Sequence, residues 1–380
     1  MKTIIATLAI VLIVSGCAQP TPDTPPADQG LLVAEDPVEI EVVEIDLPSG
    51  IDMAIVTDTS GVDDRSFNQG SWEGMQRAAS AYGLNAQAFV SHANTPDDNL
   101  ASIDLAIQGG ARLIVLPGFL QQPAAYIAQD VFPDVTFVLV DGYPHDPETG
   151  QTRLGENSVA IIYSEEHSGF LAGYSAVMEG HRSLGFMGGV AVPQVVYFGH
   201  GFLQGAQHAA AELGLDAGDV SVLYLYTGTF SPSPEVQTTA ASWFTVSEVD
   251  VIFVAAGGAG FSVMAAAEAN NGLVIGVDVD QYHESETVLT SALKELGNAV
   301  YSIISDWNAG TLETGTSRMF DASNSGIGLP MATSRFERFT QEQYDEILAT
   351  LAEGGLSILR DHTASIDDLG LDLLNVTLIN

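Results

Sequence analysis

DMAIVTDTSGVDDRSFNQGSWEGMQRAASAY (52–82) is the stretch from which the fold is read. Its first seven residues form an apolar run that ends in polar side chains. A glycine turn follows, then a helical pattern from Asn68 to Tyr82. A short run that is apolar on both faces, followed by an amphipathic helix, describes a parallel strand covered by helices on each side. The unit recurs. NAQAFV (85–90) leads into NTPDDNLASIDLAIQGG (94–110), ARLIVLPG (111–118) leads into QQPAAYIAQDVF (121–132), and TFVLVDG (136–142) closes the first half.

The second half repeats the scheme. SLGFMGG (183–189) precedes a helix at about 198–213, and SVLYLYTG (221–228) precedes one at about 234–246. VDVIFVAAGG (249–258) precedes FSVMAAAEAN (261–270), and LVIGVDVD (273–280) ends the series. The fold class is therefore α/β in two lobes, each a parallel sheet flanked by helices. Open sheets of this kind bind ligands at the carboxyl ends of their strands. If the two sheets face each other, Asp58, Asp141, Gly257, Gly258 and Asp278 meet in one cleft. TVLTSALKELGNAVYSIISDWNAG (287–310) follows, a strand and helix expected to return to the first lobe. The expected division is 51–158 plus 288–325 for lobe 1 and 159–287 plus 326–380 for lobe 2. Several crossings join the lobes, which suits a hinge that closes around a ligand.

The ends and the composition narrow the function. MKTIIATLAIVLIVSGC (1–17) has one basic residue and an apolar run too short to span a bilayer, the proportions of a secretory signal. VSGC resembles the bacterial lipobox, and that resemblance implies cleavage before Cys17 and acylation of its thiol. Cys17 is the only cysteine, so no disulfide forms within the chain. Residues 18–50 are rich in Pro, Asp and Glu and read as a tether. Acids outnumber bases 49 to 11, a formal net charge of −38. Without a basic patch, phosphate backbones are poor partners, so nucleic acid is excluded. Adsorption to anionic lipid is excluded likewise, which leaves the lipid as the expected link to the membrane. Only two lysines occur, Lys2 and Lys294. The second lies in VLTSALK, where it is either a leftover surface charge or a group that a cluster of aspartates requires.

IVTDTSGVDDRSFNQGSWEGMQRAA (55–79) resembles the signature of the basic membrane protein family of substrate-binding lipoproteins, the group that includes the purine nucleoside receptor lipoproteins. The likeness continues through FVLVDG (137–142), GFLAGYSA (169–176), GFMGG (185–189) and YFGHGFLQGAQ (197–207). It continues in YLYTGTF (224–230), DVIFVAAGGAG (250–260), IGVDVDQ (275–281) and VLTSALK (288–294), and so covers about residues 52–320 in order. The final sixty residues match loosely. The resemblance implies a type I periplasmic-binding-protein-like fold, a monomer held outside the cytoplasm, that delivers a nucleoside to an ABC-type permease and its ATPase. It implies no cofactor, no metal and no catalysis.

Carried over residue by residue, Phe67 becomes the first-lobe stacking ring, and Asp58 and Asn68 become candidates for the base edge. Asp141 and Asp278 become candidates for ribose hydroxyls, Gly257 or Gly258 admits close backbone approach, and Lys294 joins the site. The second ring is either Phe198 or Phe230. Plainer readings stand beside these. Phe67 fits a core position, Asp58 a turn cap, and Asn68 the N-cap of the following helix. Asp63 and Asp64 read as acids of the turn and helix start, and Trp72 as core.

Two rival functions remain. DTSGVDD is similar to the aspartate cluster of calcium-dependent nucleoside hydrolases, DxDxGxDD. Here Val56 replaces the leading aspartate and Gly61 is displaced by one residue. A calcium ion needs six to eight oxygens in place, so hydrolysis is disfavoured. A receptor that senses its ligand without a permease has the same cleft, and the sequence does not separate the two.

Overall fold

The structure, a computed structural model, describes residues 49–379. The leader with Cys17, and the expected tether as far as residue 48, lie outside the described residues.

The first half builds β1 (Met53–Thr57), α1 (Phe67–Tyr82), β2 (Ala86–Val90), α2 (Pro96–Gln108), β3 (Leu113–Pro117), α3 (Gln122–Val131) and β4 (Thr136–Val140). Next come β5 (Ser158–Tyr163), α4 (Glu165–Glu179), β6 (Ser183–Gly188), α5 (Pro193–Glu212), β7 (Val220–Tyr226), α6 (Pro234–Thr245) and β8 (Val251–Ala255). The remainder is α7 (Gly260–Asn270), β9 (Leu273–Asp278), β10 (Val288–Lys294), α8 (Leu296–Ala309), β11 (Thr316–Phe320), β12 (Ile327–Gly328), α9 (Gln341–Ala352) and β13 (Leu374–Leu378).

Two sheets result, in the orders β11-β5-β4-β3-β1-β2 and β12-β10-β9-β8-β6-β7-β13. Every pairing is parallel except β10 with β12. Strands β1 and β3 are buried at every position, as a sheet covered on both faces requires.

Two expected boundaries need correction. Val288–Lys294 does not return to the first lobe; it pairs with β9 in the second sheet, with Leu293 opposite Asp278. Ser158–Tyr163, assigned by sequence almost wholly to the second lobe, lies beside β4 in the first sheet. In both places the lobe changes between a strand and its own following helix. Hydrophobic periodicity reports a strand or a helix but not which sheet edge is open to it. Helix α8 does pack on α1 of the first lobe, where Gly74 lies against the Gly297 carbonyl. The chain thus crosses between lobes at Tyr163–Glu165, at Lys294–Leu296, and between β11 and β12.

Helices α4 and α5 pack with their backbones in contact. A Cβ on Gly169 or Gly173 would collide with the carbonyls of Phe198 and Phe202, and one on Gly201 or Gly205 with those of Glu166 and Phe170. The four glycines allow this approach, which fixes Phe198 and the acidic first turn of α4 near the cleft.

Candidate functional site

The carboxyl ends of the two sheets enclose a cavity of about 500 Å³, a size that suits a small organic ligand. All ten residues expected to bind ligand line it: Asp58, Phe67, Asn68, Asp141, Phe198, Phe230, Gly257, Gly258, Asp278 and Lys294.

The loop after β1 builds the first-lobe wall. Asp64 accepts hydrogen bonds from the backbone N–H groups of Ser66, Asn68 and Gln69 at 2.9–3.1 Å, and so holds the open end of α1. Ser66 is the N-cap position of that helix, so Asn68 lies inside it and is not its cap. The Asn68 amide instead donates to Asp58 Oδ1 and to the Gly61 carbonyl, both at 3.0 Å. Asp58 also accepts from the Ser60 N–H at 2.9 Å, so it does cap its turn while facing the cavity. Phe67 lines the cavity as well, with Gly118 beneath its ring. Trp72 is partly buried against the core and lies off the site.

Asp141 and Asp278 occupy matching positions, one residue past β4 and the last residue of β9. Both have left-handed backbone, with φ of 73° and 69°. Aspartate tolerates this conformation better than most residues, and such strain collects at functional sites. Both are 7% exposed. Near both stands Lys294, the last residue of β10, 4% exposed. Its Nζ lies 2.5 Å from Asp141 Oδ2 and 3.6 Å from Glu165 Oε1. It also lies 4.9 Å from the ring centre of Phe198 and 5.3 Å from that of Phe67, within cation–π range.

Burial pulls the Lys294 pKa down, but the negative fields of Asp141, Glu165 and Asp278 outweigh it, and the ammonium ends above its ordinary value. For Asp278, burial pushes the carboxyl up to about 6, although Lys294 and a 2.9 Å hydrogen bond from Ser66 draw it back. Asp141 Oδ1 is buried without a hydrogen-bond partner among the described residues. The site therefore offers several acceptors and one strong donor, an arrangement complementary to a ligand rich in hydroxyl or amino hydrogens.

Further contacts join the lobes around the cavity. Gln194 Nε2 donates to the Asp141 carbonyl at 2.6 Å. Arg65 pairs with Glu284 at 2.8 Å, and its carbonyl accepts from Gln281 at 3.2 Å. Sequence reasoning missed Arg65, Gln194, Phe119, Phe261 and Glu165. Only Arg65, inside the DDRSFNQ loop, carried a local signal. The others reach the site through the helix starts and turns that follow β3, β5, β6 and β8.

The family model described as ABC transporter substrate-binding protein PnrA-like matches residues 51–354. The chain belongs to the Bmp family. Among its relatives is the "ABC transporter nucleoside-binding protein BmpA" of Lactococcus lactis subsp. cremoris, 30% identical, covering 75% of this chain and 83% of that one. Basic membrane protein B of Borreliella burgdorferi is 29% identical over 71% of this chain and 78% of its own. A crystal structure of an ABC transporter solute-binding protein from Aeropyrum pernix K1 superposes with a TM-score of 0.63 at 23% identity, covering 84% of this chain and 90% of that one. One from Conexibacter woesei gives 0.64 at 21%, covering 81% and 99%. The periplasmic-binding-protein-like fold is thereby shown, and the chain is a substrate-binding protein of the ABC transporter class. No helix among the described residues is long and apolar enough to cross a membrane.

Proposed function

We propose that this Bmp-family protein binds a nucleoside, purine-type in preference, between its lobes and passes it to an ABC permease and ATPase. One observation carries the reading: a buried Asp141–Lys294–Asp278 group lies beside Phe67 in a cleft whose opposite wall carries Phe230. Ribose hydroxyls suit the carboxylates and the ammonium. A base suits a slot between aromatic rings, where stacking contributes roughly 1–3 kcal/mol per base and tolerates any purine.

Phe230 is the better partner for Phe67. Phe198 is 3% exposed, its ring is set edge-on to Phe253 at 5.8 Å, and Lys294 lies over it. Phe230 is half-buried and packs on Gly189, with Gly257 and Gly258 leaving room beside its backbone. A hydrolase reading is weaker. Asp64 has both carboxylate oxygens engaged by N–H groups and Asp58 one, so the loop is poorly disposed to wrap a cation.

Calorimetry with adenosine, guanosine, inosine and uridine tests the proposal. Micromolar or tighter binding of at least one, unchanged by chelator, is expected. Binding of none, or calcium-dependent release of free base, sinks it. A ligand sensor without a permease gives the same calorimetry, and a neighbouring permease and ATPase gene pair separates the two. Attachment through a lipid on Cys17, on the outer side of the cell membrane, rests on the leader sequence. Fatty-acid labelling that persists in Cys17→Ser refutes it.

A further inference from the structure

The family match ends at residue 354, yet the chain continues in a strap that lies along α5 and ends in β13 beside β7. Leu359 and Gln204 exchange two hydrogen bonds, at 2.8 and 3.2 Å. His362 meets the Tyr197 hydroxyl at 3.3 Å, and Leu373 donates to Gln207 at 3.0 Å. The contacts fall on one face of α5 and hold the strap at a lobe crossing. From it Arg360 reaches inward, its guanidinium 4.3 Å from the Tyr197 ring centre. Nε donates to Glu166 at 2.8 Å, and Nη2 donates to Glu165 at 3.1 Å and to the Tyr163 carbonyl at 2.7 Å. Tyr163 ends β5, the last first-lobe residue before the chain crosses.

Glu165 is 1% exposed and lies between two cations, Arg360 on one oxygen and Lys294 on the other. Three carboxylates, those of Asp141, Glu165 and Asp278, therefore act on one ammonium. Without Arg360, the buried charge of Glu165 has only Lys294 to neutralise it, in competition with Asp141 and with ligand. A buried carboxylate deprived of its partner costs heavily. Burial and the neighbouring Asp141 already push the Glu165 carboxyl well above its ordinary range, while Lys294 and Arg360 draw it back. The relief is therefore uptake of a proton or movement of Lys294 across the 3.6 Å gap, and the second disturbs the site. We propose that Arg360 is a positioning residue of the ligand site, neutralising Glu165 so that Lys294 stays on Asp141 and is free to donate to ligand. It touches no ligand itself. The proposal rests on the nucleoside reading only for the choice of probe.

The full chain carries Arg360→Met, Arg360→Lys or the pair Arg360→Met with Glu165→Gln. Each is titrated with adenosine, guanosine, inosine and uridine. Selective 15N-lysine labelling then reads the Lys294 ammonium resonance without ligand, which is possible because the chain has only one other lysine, Lys2. Arg360→Met is expected to weaken the tightest nucleoside about tenfold, the scale of one charge-assisted contact, and to move the Lys294 resonance. Arg360→Lys, which keeps the charge, recovers most of the loss. The paired variant, with the carboxylate that faces Lys294 removed and only Glu166 left without Arg360, restores both affinity and resonance, which a merely structural strap does not explain. Unchanged binding and resonance in Arg360→Met, or no restoration by Glu165→Gln, overturns the proposal. If Arg360→Met does not fold, folding of the pair with a wild-type resonance supports the proposal, and its failure to fold refutes it. If wild type binds none of the four nucleosides, the nucleoside reading falls and the resonance alone decides Arg360.

Discussion

The two walls of the cleft differ in chemistry and in how they are assembled. The first-lobe wall is mostly polar and largely local: one loop supplies Asp58, Asp63, Asp64, Arg65, Phe67 and Asn68, and Asp141 joins just past β4. The end of β3 and the turn after it add the apolar Pro117, Phe119 and Leu120. The second-lobe wall is mostly apolar, with Val192, Val195, Phe198, Phe230, Phe261 and Val277, and it draws on widely separated segments. Asp278 and Lys294 are its charged exceptions. On the proposed reading, the first wall meets polar edges and, through Phe67, one face of a ring, and the second covers the other face. The ammonium of the second wall ties the two together through Asp141. Each of the following experiments attacks that division.

The largest effect falls on stability. Phe198→Ala is expected to cost about 3–5 kcal/mol in denaturant unfolding, because a buried ring packed on Phe253 leaves a cavity. If it unfolds like wild type but loses ligand, Phe198 is the stacking ring and the assignment of Phe230 fails. Next comes the tie between the walls. Lys294→Met should weaken nucleoside binding by about 1.5–3 kcal/mol. Lys294→Arg should also bind poorly, since a planar fork does not replace a compact charge beside Asp141. Wild-type affinity in Lys294→Met makes the lysine a bystander. A smaller loss, roughly 1–3 kcal/mol, is expected for Phe230→Ala, with unfolding little changed.

The smallest effect is a pH dependence. Asp278 is raised to about 6 by burial, and a hydroxyl donor from ligand favours its ionised form. Affinity should be full above pH 6 and fall as pH drops through 6, by at most about tenfold per unit. Folding runs the other way. A carboxyl whose folded pKa lies above its unfolded value near about 4 binds protons preferentially in the native state, so its share of stability grows as pH falls from 6 toward 4. Binding measured between pH 7 and 5 in wild type and Asp278→Asn checks this: the variant should be flat. A variant that keeps the wild-type slope transfers the dependence to another group.

What the sequence made legible follows the same contrast. The βα units were readable because buried parallel strands are short apolar runs and their helices carry a 3.6-residue period. The residues Asp58, Phe67 and Asn68 were readable because one contiguous loop holds them. Asp141 and Asp278 were visible as polar residues closing apolar runs. Hidden were the sheet memberships of Ser158–Tyr163 and Val288–Lys294, since pairing partners are distant in sequence and nothing in a strand's own pattern names its neighbour. Also hidden were Gln194 and Glu165, which gain their importance only when α4 and α5 close on each other through Gly169, Gly173, Gly201 and Gly205.

A crystal structure of the protein grown with its tightest-binding nucleoside tests the central claim most directly. The account predicts the base between the rings of Phe67 and Phe230, with ribose oxygens within about 3 Å of Asp141, Asp278 and the Lys294 ammonium. A nucleoside seated outside this cleft, or seated in it with its ribose turned away from Lys294, contradicts the account.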